Sequence, residues 1–93
     1  MSVPPYLERT LSILRTAYPE GLPTSDYLPV VRVLTEGMSL RNLNDVVAEL
    51  TGYATMKVYN DVGFAAELEL TDPDVVRVEA RLTRHGWDPD DDE

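Results

Sequence analysis

Ninety-three residues make one domain near the lower size limit for a chain that folds around a single core without a staple. With no cysteine, a disulfide framework, a thiolate metal site and a cysteine nucleophile are all excluded. The formal charge is −9, yet Asp88, Asp90, Asp91, Asp92 and Glu93 supply five of the seventeen acids, leaving twelve against eight basic residues, or −4, for the body. One lysine and seven scattered arginines give little for phosphate neutralisation, so nucleic acid is a poor candidate partner. No run approaches the roughly 20 apolar residues of a membrane span, and MSVPPYLERT lacks a basic, apolar leader, so a cytoplasmic protein is expected.

Pro4 and Pro5 suit the first turn of a helix, and Leu7, Leu11, Leu14 and Tyr18 then recur with the helical period over about residues 4 to 18. Pro19, Gly21 and Pro23 forbid its continuation and make a corner. With Asp26 as N-cap, Pro29 falls in the first turn, where no intrahelical bond is lost. Tyr27, Leu28, Val30, Val31, Val33 and Leu34 cover nearly every face of this second helix, which marks it as buried. Gly37 is placed to end it in a left-handed conformation.

Ser39 is a good N-cap for a third helix carrying Leu40, Leu43, Val46, Val47 and Leu50, closed by Gly52. Two helices joined by EGMS raise a helix-turn-helix reading, with Arg41, Asn42 and Asn44 as base readers; Asp45, Glu49 and Glu36 oppose it. Residues 53 to 70 fit a helix from about Thr55 to Ala66, capped by Thr55 and bearing Met56, Tyr59, Val62, Gly63 and Ala66, or else a β-hairpin. A solitary hairpin is marginal in a chain that is otherwise helical, so the helix is favoured.

Thr71 or Asp72 starts the last helix, with Pro73 and Asp74 in its first turn and Val75, Val78 and Leu82 as its stripe. Gly86 stands where a Schellman cap requires it, which makes Trp87 a plug against Leu82. Arg77, Glu79, Arg81 and Arg84 are expected to face out. The acidic DPDDDE is expected to be a solvated, disordered tail over 88–93, leaving 1–87 as the folded domain. The runs YPEGLPTSDYLPVVRVL and DVVRVEARLTRHGW, about a third of the chain, resemble an actinobacterial, mycobacterial-type family of small helical proteins of unknown function. The resemblance implies an all-helical fold and transfers no functional residue.

Catalytic machinery is nearly absent. His85 is the only histidine and sits in a last helical turn, where a cation is favoured by the dipole. No serine has a nucleophile-elbow context. The terminal acids lack the glycine and bidentate glutamate of an EF-hand loop. The expectation is therefore an all-α bundle of four or five short helices that is not an enzyme and holds no cofactor or metal. It is expected to be a monomer and to work by binding another protein, with a divergent helix-turn-helix regulator as the alternative. Arg77, Arg81 and Arg84, spaced i, i+4 and i+7, form the candidate contact with that partner.

Overall fold

The computed structural model describes residues 4–89. Among these are five α-helices and no strand: α1 (Glu8–Ala17), entered through a 3-10 turn at Pro5–Leu7, α2 (Thr24–Leu34), α3 (Leu40–Thr51), α4 (Thr55–Ala65) and α5 (Pro73–Arg84). The segment that admitted a hairpin is thus helical. α2 is the central element and packs on α5, α4 and α3, while α1 lies against α3 and α5. That placement follows from its composition, because Tyr27, Pro29, Val30, Val31, Val33 and Leu34 are all buried and only the strip through Ser25, Leu28 and Arg32 reaches water.

The helix termini show how local sequence sets the boundaries. Ser39 caps α3 by accepting from the Asn42 amide at 3.2 Å, and Gly52 closes it at φ 79°. Asp72 caps α5 by accepting from the Asp74 amide at 2.9 Å. At the other end of α5 the Trp87 amide donates to the Leu82 carbonyl at 2.9 Å and the Gly86 amide to the Thr83 carbonyl at 3.0 Å, which is the Schellman pair, with Gly86 at φ 106°. Trp87 is only 5% exposed and joins the core, as its plug position implies.

Three boundary expectations are corrected. α2 begins at Thr24 with Pro23 as its N-cap residue, so Asp26 lies inside the first turn and Pro29 inside the helix. Asp26 has a tertiary use that outweighs capping, described below. Thr55 is the first residue of α4 and not its cap; Ala54 holds the cap position without a side-chain bond. Gly37 has no positive φ. A Cβ there would stand 2.6 Å from the Pro89 Cα, so the residue is small because the chain after Trp87 crosses it closely. Of the expected tail, Asp88 and Pro89 are therefore placed beside the fold, and residues 90–93 lie outside the described residues.

The core joins Leu7, Leu11 and Leu14 of the N-terminal segment, the α2 residues, Leu43, Val46 and Val47, then Val58, Ala65, Val75, Val78 and Leu82. Leu28 and Leu50, expected in the core, pack against its margin half-buried. No helix is long and apolar enough to cross a membrane among the described residues.

Candidate interaction surface

The arginine stripe on α5 is not a free surface. Because α5 packs along α2, Arg77 faces Asp26, and its guanidinium donates to both carboxylate oxygens at 2.8 and 3.2 Å. Tyr18 donates its hydroxyl to the same carboxylate at 2.8 Å, so a side chain only 5% exposed has its charge met by a cation and a phenol. One turn on, Arg81 Nε donates to the Ala17 carbonyl at 2.8 Å, with the guanidinium 4.3 Å from the Tyr18 ring centroid. Arg77 and Arg81 thus clamp the corner between α1 and α2 onto α5. Of the expected contact trio, Arg84 remains exposed without joining this cluster. The spacing of the three was visible in the sequence; the acceptors facing two of them come from elements fifty or more residues away.

The electrostatics of the clamp follow from that geometry. The Arg77 guanidinium, helped by the Tyr18 hydroxyl, holds the Asp26 carboxyl below its ordinary range against the opposing effect of burial. Burial first, then the bond to Asp26, raises the Tyr18 phenol. Hydrogen bonding to Asp26 raises Arg77 in turn.

A second cluster ties α4 to α2. Tyr27 donates to Asp61 at 2.8 Å, and Lys57 approaches the same oxygen at 2.8 Å from one turn earlier in α4. The Tyr27 and Tyr53 rings meet edge to face at 5.3 Å, with the Lys57 ammonium 4.8 Å from the Tyr53 centroid. Burial and the Asp61 contact raise the Tyr27 phenol, while Lys57 holds Asp61 below its usual range. Arg32 Nε donates to the Leu68 carbonyl at 2.8 Å and so fixes the connection between α4 and α5.

This anchoring decides which side of α4 meets water. Val58 and Ala65 are buried, with Val62 packed beside them. Of the expected stripe only Val62 turns inward: Met56 is 69% exposed and Tyr59 55%, Ala66 is exposed, and a Cβ on Gly63 would meet nothing within 4 Å; Phe64, outside that stripe, is 62% exposed. By helical spacing Met56, Tyr59, Gly63, Phe64 and Asn60 share one face, with the exposed Lys57 at its margin beside Asn60 and Phe64. The face thus exposes three large apolar side chains to water.

Other candidates offer less. Among the proposed base readers, Arg41 is exposed, whereas Asn42 and Asn44 are half-buried and Asn44 Oδ1 is enclosed without a hydrogen-bond partner. His85 is exposed at the C-cap of α5. A shallow open depression of about 280 Å³ at the corner is lined by Tyr18, Pro19, Glu20, Gly21, Pro23 and Arg81. Among the described residues no three His, Asp or Glu side chains stand close enough to hold a metal ion.

Neither the curated proteins nor the solved structures yield a significant match to the chain. A family model does match, over residues 5–91, and its span takes in the corner, the α4 face and the α5 clamp alike. The chain therefore belongs to the family described as protein of unknown function DUF3349.

Proposed function

We propose that this protein is an interaction or regulatory module that binds another protein through the outward face of α4 and carries out no chemistry of its own. The observation that carries the reading is the exposure of Met56, Tyr59 and Phe64 on one helix face, whose marginal charge, Lys57, is drawn to Asp61. Leaving large apolar groups in water costs solubility, and aromatic residues with methionine are the types enriched where proteins meet. Met56 is also the adaptable kind of side chain, able to fit partner surfaces of differing shape. The arginines of α5, by contrast, already have intramolecular acceptors at two of three positions.

A cytoplasmic location belongs to the same proposal, as does a partner other than nucleic acid. The net charge of −9 repels phosphate, and Asn42 and Asn44 are half-buried in α3. Affinity capture from the native cell extract, run in parallel with the parent chain and with a Tyr59→Ser, Phe64→Ser double variant, tests the α4 surface. Partners held by the parent and lost by the variant support it. An identical set retained by both contradicts it.

A further inference from the structure

We propose that residues Trp87 to Pro89 form a latch: the strap that follows α5 closes over the link between α2 and α3, and strap and link open together as one unit. This device is separate from the α4 face and does not depend on the docking role of that helix.

The strap needs a bare backbone at Gly37. A Cβ there would lie 2.6 Å from the Pro89 Cα and 3.0 Å from both its carbonyl oxygen and its Cβ, the first far inside van der Waals contact. The obstacle is backbone together with a rigid ring, so nothing yields as the end of a flexible side chain would. Gly37 has no positive φ, and a left-handed turn is therefore not what demands a glycine. Nor do the other four glycines share its surroundings. Gly21, Gly52 and Gly63 border open space and Gly86 meets only the Ile13 side chain, whereas Gly37 alone is approached by distant backbone.

Both sides of the contact are held in place. Trp87 is buried and its amide is bonded to the Leu82 carbonyl, which fixes where the strap leaves α5. Opposite it, the Glu36 amide donates to the Val33 carbonyl and the Gly37 amide to the Leu34 carbonyl, both at 3.1 Å, so the link prolongs the last turn of α2. Met38 then turns into the core, and Ser39 caps α3. Although α2 and α3 are consecutive, they touch each other sparingly. With so little direct packing to fix their angle, the strap across the link takes that part. Without it, the link is held chiefly by turn bonds and Met38, the kind of segment that opens locally at far lower cost than the whole fold.

Gly37→Ala and Pro89→Gly, made separately and together in the full-length chain, test the latch. Alanine suits the Gly37 backbone, so with the strap free to shift it should leave Tm unchanged or raise it, by trimming the freedom of the unfolded chain. With Pro89 in place the added methyl group meets the strap, and Gly37→Ala should lower Tm. The two substitutions are therefore expected to be non-additive. Amide exchange at Thr35 and Glu36 reads the link directly, and either single variant should speed it at least about tenfold. Exchange at Val78 and Leu82 should stay as in the parent, and Trp87 should keep the emission of a buried indole, which separates latch opening from general unfolding. Equal effects of Gly37→Ala in both backgrounds, an unchanged or higher Tm with Pro89 present, or link exchange indifferent to Pro89→Gly would overturn the proposal. If the Gly37→Ala chain does not fold, rescue by Pro89→Gly supports the latch and failure of that rescue refutes it.

Discussion

Asp26 is a carboxylate almost sealed from water, and a charge in that position persists only when it is paired and hydrogen-bonded. Removing it leaves the Tyr18 hydroxyl and the inner side of Arg77 without an acceptor, so Asp26→Ala is expected to cost about 3 kcal/mol. Arg77→Ala should cost less, about 1 to 2 kcal/mol, because the Arg77 side chain is 48% exposed and water already screens part of the attraction. Denaturant titrations of both variants check the order. The same pair sets a pH dependence. The folded-state carboxyl lies below its ordinary value, so its contribution is fully present above about pH 4 and is lost as the pH falls through the folded value. The stability gap between the parent and Asp26→Asn should therefore narrow in acid, and a gap that widens there would contradict the pairing. At the alkaline end Tyr18 and Tyr27 are both raised, chiefly by burial. Ultraviolet titration should show phenols ionising well above pH ~10, with that late phase reduced in Tyr18→Phe and in Tyr27→Phe.

At the scale of elements, α5 and α4 differ in how far local sequence governs them. The end of α5 is a local motif, in which Gly86 takes positive φ and the Trp87 amide reaches back to Leu82. Trp87→Ala should lower stability by about 2 to 4 kcal/mol in a thermal or chemical melt, because the indole fills core volume. α4 carries two apolar stripes at helical spacing, and periodicity alone does not say which one turns inward. The choice is made from outside the helix: Tyr27 of α2 donates its hydroxyl to Asp61, which accompanies Val58, Val62 and Ala65 at the core and leaves Met56, Tyr59 and Phe64 in water. Asp61 is compensated locally by Lys57, one turn earlier, but its second partner, Tyr27, stands thirty-four positions away and left no mark in the α4 sequence. Gly63→Ala offers a check on the same element. With open space around the added methyl group, it should stabilise the fold by about 0.5 to 1 kcal/mol in a thermal melt, where a buried Gly63 would instead give a loss.

For the molecule as a whole, the helical class, the corner at Pro19–Pro23 and the buried α2 were legible because each depends on residues close in sequence. Gly37 was legible as a glycine but not in its purpose, since the Pro89 backbone that requires it arrives from the far end of the chain. The internal bonds of Arg77 and Arg81 were hidden for the same reason: a row of cations looks like a surface until the acceptors Asp26 and Ala17 are folded beneath it. The face of α4 is the proposed contact surface, and it can be set directly against the α5 stripe. A photo-crosslinking residue placed at Asn60 in one form of the chain and at Arg84 in another, each irradiated in the native extract, reads which face is met. The account predicts protein adducts from position 60, lost when Phe64 is changed to Ser, and few from position 84. Adducts from position 84 with none from position 60 would contradict it.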